Sequence, residues 1–525
     1  MEISVSSDLE PRWGWLAVIL LTVLAIAPLT YPGFFQSHSG FWPVFKAARS
    51  DNAIYWDQAA DPMHGEGKLP YFLVWPLWRL SGSAVAAVKW GYGLTFLFGA
   101  VGTLAWTRRW LGVKGGVVSA LVYTYLPWHL STVYVRGAYA EAWLWALWPF
   151  VLWAVDEWTE GCRRWLGLVG LLPLLALPWT QPGLTLLSIL LLAVYGAWVP
   201  VQRRHPVLWV GGAVCGSLVL LGCAARWGTG ARLSFDGRFL VPYQLLSAAW
   251  GNGLSFQLGV AAVGLGLVTA ILWIGKRSGP EMNQWSDDPS SPPHLGRNFW
   301  FWLIGLLLVL FLVLPCSAFV WRTTRLDAFL ADPWQLLALS GLPLAFLAGM
   351  GVRLDERLRA CPVWEGIVAL VVLASYPYLT PRFTQVDPGP EPVALFQPVP
   401  AGSFSVALLT EEVQPPELSP VITPTLTFTL TWQTVEPIAD DYTVFVHLLA
   451  NGEKIAQADT RPCDGQCPTS SWQPGEVIVD RHQLPWSPDR PPGPYQLVIG
   501  LYLLNSGQRV GVAGSEDGAV FLDVP

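Results

Sequence analysis

Phe299-Trp-Phe-Trp-Leu-Ile-Gly-Leu-Leu-Leu-Val-Leu-Phe-Leu-Val-Leu314 runs without one charged residue. In hydrocarbon every backbone N–H and C=O needs a partner inside the protein, and a helix supplies one within its own segment. Extended to 299–321, the run is long enough to cross about 30 Å of hydrocarbon. Ten more runs resemble it, near 14–34, 84–106, 114–129, 139–155, 164–180, 182–200, 206–224, 256–275, 335–351 and 363–380. Together they predict a polytopic α-helical membrane domain of eleven spans over residues 1–380. Composition agrees. The chain is 53% hydrophobic and 13% charged, where a soluble protein carries about 25% charged residues. Those values exclude a wholly soluble protein, a disordered chain and a nucleic-acid binder.

Loop charge sets the expected orientation. With the N-terminus inside, the inner loops carry Arg108, Arg109, Lys114, Arg163, Arg164, Arg203, Arg204, Lys276, Arg277, Arg297, Arg353, Arg357 and Arg359. That follows the positive-inside rule. The long loops 35–83 and 225–255 then lie outside, and an odd span count carries the tail outside as well. Ala25-Ile-Ala27 resembles a cleavage site, but Pro28 would follow the cut directly, so the first run reads as an uncleaved span. Trp13/Trp15, Trp106/Trp110 and Trp143/Trp145/Trp148 cluster near span ends. They read as interfacial belts, with sugar stacking as the sharper alternative.

The tail has a different chemistry. Residues 392–525 hold 15 Asp and Glu against 5 Lys and Arg, while the remainder is slightly basic. Five prolines, Pro388, Pro390, Pro392, Pro398 and Pro400, make 381–401 read as a stiff linker. Beyond it, alternating runs such as Thr425-Leu-Thr-Phe-Thr-Leu-Thr-Trp432 and Tyr442-Thr-Val-Phe-Val-His-Leu-Leu449 predict short strands. Asn451-Gly452 is a hairpin signal. The expectation for 402–525 is an extracytoplasmic all-β sandwich. His447 and His482 read as lone packed or surface histidines. Cys463 and Cys467, four apart in a turn-rich loop, are too few for tetrahedral zinc and read as a local disulfide of an oxidising compartment.

Ionisable groups at bilayer depth are costly and often functional. Lys89 lies near the start of the second span, and Arg136 and Glu141 flank the start of the fourth. The latter two read either as a structural ion pair or as a functional one. The first long loop holds Asp51, Asp57, Asp61 and Glu66. A carboxylate there is either solvated or, against an apolar wall, a general base. Arg226, Arg232 and Arg238 in the second long loop suit a phosphate or a lipid headgroup. No P-loop, GxSxG, HExxH or paired CxxC occurs, so neither a cofactor nor a metal is expected.

Four stretches carry a resemblance: Tyr134-Val-Arg-Gly-Ala-Tyr-Ala-Glu-Ala-Trp143, Phe239-Leu-Val-Pro-Tyr-Gln-Leu-Leu-Ser-Ala-Ala-Trp250, Phe256-Gln-Leu-Gly259 and Ala331-Asp-Pro-Trp-Gln-Leu-Leu337. With the tail stretches 442–449 and 468–476, they make the chain resemble bacterial polytopic proteins of the GT-C glycosyltransferase superfamily. More closely, it resembles the membrane proteins labelled as related to 6-pyruvoyl-tetrahydropterin synthase. The resemblance implies a transferase of the bacterial cell envelope, in the cytoplasmic membrane. It would use a polyprenyl-phosphate-linked sugar at the outer face, with membrane lipid and possible envelope proteins as partners. Asp51 and Asp57 are the nearest positions to the superfamily's catalytic acid. Arg136, Arg238 and Lys89 would meet phosphate, with Glu141 orienting Arg136. The chain also departs from its relatives. Ser39 follows His38 where they carry an acid, the first loop lacks their Gly-Tyr-Gly stretch, and Gln335 follows Pro333-Trp334 where they often have Arg. The second expectation is therefore a non-catalytic membrane scaffold or assembly subunit on a degenerate GT-C-like frame. A transporter is the third.

Overall fold

The computed structural model describes residues 10–49, 66–160, 172–198, 235–247, 254–278, 295–397, 405–414 and 425–524, apart from the single positions 175, 236, 488, 514 and 516. The N-terminal region is helical and the C-terminal region is β-sheet. The described residues fall into two compact units. One is drawn from Met1–Tyr31, Asp61–Val74 and Lys89–Arg382, the other from Pro32–Ala60, Trp75–Val88 and Phe383–Pro525.

In the helical unit the apolar runs become helices at Glu10–Ile26, Ala84–Tyr125, Tyr139–Glu160, Pro182–Trp198, Val260–Ser278, Leu295–Leu312, Gly341–Leu354 and Cys361–Leu373. Among the described residues, four helical segments are long and apolar enough to cross a bilayer: Arg12–Thr30, Ala84–Tyr125, Leu295–Leu312 and Pro333–Leu354. The 42-residue helix holds two of the expected spans and breaks at Gly112, whose φ of 71° is non-helical. The expected spans near 164–180 and 206–224 lie mostly or wholly outside the described residues.

Many tryptophans read as interfacial anchors are interior instead. Trp106, Trp110, Trp143, Trp145 and Trp148 are all at most 4% exposed. Trp106 meets Trp302 at 5.2 Å, and Trp145 stacks on His129 at 4.4 Å. The reason is helix–helix packing. Large flat rings fill the gaps between helices as readily as they face headgroups.

The second unit is built on two antiparallel sheets. Strands β1 (Phe34–Phe35) and β2 (Phe383–Thr384) pair with each other. The first larger sheet contains β3 (Ala394–Gln397), β4 (Val406–Gln414), β5 (Thr425–Thr434), β8 (Val477–Pro485) and β10 (Gly511–Val512), in the order β10-β3-β4-β5-β8. The other contains β6 (Tyr442–Ala450), β7 (Glu453–Thr460), β9 (Tyr495–Leu503) and β11 (Val520–Val524), in the order β11-β9-β6-β7. Alternation decides which side chains face inward. On β5 these are Leu426, Phe428, Leu430 and Trp432, which join Val444, Val446, Ile499 and Leu501 in the core. Each such burial stabilises the fold by about 1.5–3 kcal/mol before the entropy of ordering is subtracted. Asn451 and Gly452 both take positive φ, 52° and 84°, as the tight β6–β7 turn requires.

The expected domain boundaries need correcting. Strands β2 and β3 lie inside 381–401, the stretch read as a linker, so the β unit begins before residue 402. It also recruits the first long loop. Phe34 and Phe35 supply β1, and Phe41 N–H donates to the Val435 carbonyl at 3.1 Å. The Trp42–Ala48 helix buries Val44, Phe45 and Ala47. After it, the Arg49 guanidinium lies 4.0 Å from the centre of the Phe45 ring. Arg49 donates to the carbonyls of Pro388 (2.6 Å), Gly389 (3.3 Å) and Pro390, and pairs with Glu391 at 3.4 Å. Proline lacks an N–H but keeps its carbonyl, so a proline-rich segment can still cradle a guanidinium.

Candidate functional site

The site is built around a tight turn in the helical unit. The Pro127–Tyr134 helix starts with Pro127 in its first turn, where the missing N–H costs nothing. It ends at Tyr134, and in the turn that follows Gly137 takes a φ of 67°, which lets the chain reverse. Ala138 N–H donates to the Thr132 carbonyl at 2.9 Å and Arg136 N–H to that of Ser131 at 2.8 Å. The Tyr139–Glu160 helix begins two residues on, with Glu141 in its first turn, where the helix dipole favours an acid. The turn therefore brings Thr132, Arg136 and Glu141 together.

Their contacts are short and buried. Arg136 Nη1 lies 2.7 Å from Glu141 Oε2, and the residues are 8% and 1% exposed. The Thr132 hydroxyl lies 3.3 Å from both Glu141 Oε1 and Arg136 Nη1. The guanidinium carbon sits 4.9 Å from the Trp128 ring and 4.8 Å from the Trp334 ring. Phe256 joins those rings at 5.8 Å and 5.7 Å. Arg136 is thus a charge boxed by aromatic faces, a contact that strengthens when water is excluded.

Three of the four stretches that carry the resemblance meet here. Tyr134–Trp143 supplies Arg136 and Glu141, Phe256–Gly259 supplies Phe256, and Ala331–Leu337 supplies Trp334. The fourth, Phe239–Trp250, is tied on by backbone. Leu258 N–H donates to the Leu245 carbonyl at 3.0 Å, and Gln257 Nε2 to that of Leu246 at 2.9 Å. Gln257 Oε1 accepts from Tyr378 OH at 2.8 Å, and Tyr378 OH also meets the Ser255 hydroxyl at 2.9 Å. Arg238, just before the fourth stretch, pairs with Asp332 at 3.2 Å, two residues from Trp334.

Of the other expected residues, Asp51 and Asp57 lie outside the described residues. Lys89 donates to the Tyr31 carbonyl at the end of the first helical segment. Among the first-loop acids the structure describes Glu66, which accepts from Tyr71 OH at 2.6 Å. Gly67 N–H donates to the Thr180 carbonyl at 2.6 Å, and a side chain at position 67 would start 1.9 Å from the Trp179 carbonyl oxygen. The Tyr71, Tyr139 and Tyr92 rings then step at 5.3 Å and 4.8 Å toward the turn, where Tyr92 OH donates to the Gly137 carbonyl at 2.8 Å. Thr132 and Trp128 carried no sequence signal of their own. Both lie on the helix that leads into the Arg136 turn, about one and two turns before it, and that spacing was the available clue.

In the β unit Cys463 and Cys467 are bonded as a disulfide, with Cα atoms 5.4 Å apart. His482 is not isolated. Its Nε2 lies 2.7 Å from Asp480 Oδ2 and its Nδ1 lies 3.2 Å from the Thr460 hydroxyl. Asp480 Oδ1 accepts from Cys463 N–H at 2.8 Å. With Nε2–H donated to the carboxylate, every one of these groups is satisfied, so the arrangement is a latch for the disulfide loop. Among the described residues no group of three or more His, Cys, Asp or Glu could hold a metal ion.

Comparison with known proteins gives a limited set of likenesses. No curated protein matches the chain. The crystal structure of ArnT from Cupriavidus metallidurans in the apo state is similar over 66% of this chain and 78% of that chain, at 13% identity and a TM-score of 0.23. That score is too low to assign a fold, which rests here on the helices and sheets themselves. Residues 67–177, the segment holding the Arg136–Glu141 turn, match the family described as the 6-pyruvoyl-tetrahydropterin synthase related domain, a membrane protein.

Proposed function

We propose that the protein is a membrane glycosyltransferase that moves a sugar from a polyprenyl-phosphate donor to an acceptor at the outer face of the membrane. The observation that carries the reading is the aromatic-boxed Arg136–Glu141 pair, with Arg238 reached through the Asp332–Trp334 stretch. In transfer, Asp51 or Asp57 takes the proton of an acceptor hydroxyl, whose oxygen attacks the anomeric carbon. The bond from that carbon to the phosphate oxygen breaks, and the polyprenyl phosphate leaves with the electron pair. Arg136 and Arg238 compensate the growing phosphate charge, which a water-poor site makes effective. Glu141 and Thr132 fix the guanidinium, and Lys89 adds positive charge nearer the Tyr31 end of the helical unit.

The test uses full-length protein in nanodiscs, polyprenyl-phosphate-linked radiolabelled sugars and an envelope extract as acceptor. Transfer is expected, with at least a hundredfold loss in Arg136→Gln. Absence of transfer from every donor would sink the reading. Full activity in both Asp51→Asn and Asp57→Asn would remove those bases and leave the rest.

One observation favours the second reading, a scaffold that keeps the frame without the reaction. Both arginines already face carboxylates of this chain, Glu141 and Asp332. A scaffold would co-purify with envelope partners and bind no polyprenyl phosphate.

A further inference from the structure

The two arginine–carboxylate pairs differ in a way that bears on ligand entry. Arg136–Glu141 is short and enclosed, with side chains 10% and 1% exposed. Arg238–Asp332 is a single contact of 3.2 Å between one Nη1 and one Oδ1, with side chains 49% and 19% exposed. An Arg238 guanidinium engaged through one nitrogen leaves the two-toothed geometry of an Arg–phosphate contact unused. Half-exposed pairs of this kind are weakly held.

Asp332 also occupies a mechanical position. It precedes the Pro333–Ser340 helical segment, and its own N–H donates to Gln335 Oε1 at 3.3 Å. Two residues on, Trp334 forms one wall of the box around Arg136. Asp332 and Trp334 therefore ride on one short stretch, each touching a different arginine.

We infer that Asp332 is a built-in competitor for the ligand phosphate. It occupies Arg238 while the site is empty and is displaced when a phosphate ester carried on a lipid arrives. The inference rests on the proposed reading that Arg238 meets a phosphate. Occupation by an internal carboxylate lowers apparent affinity by the fraction of molecules in which Arg238 is masked. For a half-exposed pair that factor is small, on the order of two to five. Release of Asp332 frees the stretch that holds Trp334, so binding at Arg238 reaches the wall of the Arg136 box.

The experiment is a titration of full-length protein in nanodiscs, read by native mass spectrometry. Polyprenyl phosphate is the probe, with the matching polyprenol, phosphatidylglycerol and inorganic phosphate as parallel arms. The variants are Asp332→Asn, Arg238→Gln and the double variant. Asn caps a helical segment as well as Asp, so Asp332→Asn removes the charge and keeps the local structure. Expected are a two- to fivefold tightening in Asp332→Asn, a weakening in Arg238→Gln, and no effect of Asp332→Asn once Arg238 is gone. The same pattern in the phosphatidylglycerol arm alone would assign the contact to a bilayer headgroup and still support masking. Unchanged or weaker binding in Asp332→Asn, with Arg238→Gln impaired, would overturn the inference and make Asp332 a positioning residue. Binding that ignores Arg238→Gln, or no binding in any arm by wild type and Asp332→Asn alike, would overturn it together with the reading of the site.

Discussion

Each unit buries a short acid–base contact, and the two have opposite surroundings. Arg136–Glu141 in the helical unit and Asp480–His482 in the β unit both close to 2.7 Å. Asp480 and His482 face inward from one strand and are saturated by backbone and hydroxyl partners, Cys463 N–H and the Thr460 hydroxyl. Phe428 stacks on the imidazole at 5.3 Å. Arg136 is instead walled by Trp128 and by Trp334, a half-buried residue two positions from an exposed ion pair. A buried pair closed on all sides serves the fold. A buried pair walled by a half-buried ring beside an exposed ion pair is, on the proposed reading, the one that meets a ligand.

The largest effect expected from breaking this contrast is in Glu141→Leu, which leaves the Arg136 charge buried beside an apolar group. Loss of one partner of a buried pair costs about 3–5 kcal/mol, read as a fall in the unfolding temperature of the detergent-solubilised protein. Adding Arg136→Met is expected to recover most of that stability while abolishing polyprenyl phosphate binding. A double variant no more stable than Glu141→Leu would show that the pair holds the helices together. Asp480→Ala should cost about 2–3 kcal/mol, because Cys463 N–H and the imidazole lose their acceptor, yet polyprenyl phosphate binding should stay unchanged. A change in binding there would end the distinction between the two pairs.

Trp334→Ala sharpens the contrast from the other side. It removes one aromatic face from Arg136, worth about 0.5–2 kcal/mol, and should weaken polyprenyl phosphate binding more than it lowers the unfolding temperature. The smallest effect is a pH effect in the β unit. Burial first, then the nearby Lys454, hold His447 below the usual histidine range, against a raising influence from Asp459. The unfolded chain therefore binds a proton that the folded chain resists. Stability is full above the unfolded value of about 6.5 and falls as pH drops through the folded one. A His447→Gln variant should flatten the pH dependence of unfolding measured from pH 7.5 to 5, and an equally steep dependence would remove His447 as its source.

Much of this was legible in the residues, and the losses have physical causes. Span helices are written in local composition, so the run from Phe299 is recovered as helix as far as Leu312, and the expected span to 321 is interrupted before Pro315. The β5 alternation and the Asn451-Gly452 turn are local too. Arg136 and Glu141 stood out by depth, yet their box did not, because Phe256 and Trp334 lie far along the chain from Arg136 and only tertiary packing joins them. Asp480 and His482 sit two apart on one strand face, so their pairing is written in the strand's alternation. The proline-rich stretch reads as a linker because prolines stiffen a chain, yet each proline keeps its carbonyl as an acceptor, and those of Pro388 and Pro390 hold Arg49.

The β unit is completed by a segment made long before it. Arg49 and its carbonyl partner Pro388 are separated by 339 positions. At roughly 5–20 residues per second of synthesis, that separation is on the order of 20–70 s. Throughout that interval Phe34 and Phe35 are edges without a strand, and the Arg49 guanidinium has yet to meet the carbonyls that cradle it. Chaperone demand at the N-terminal loop should therefore last until the C-terminal sheets are made, and shortening the chain from its C-terminal end should lengthen that exposure without limit.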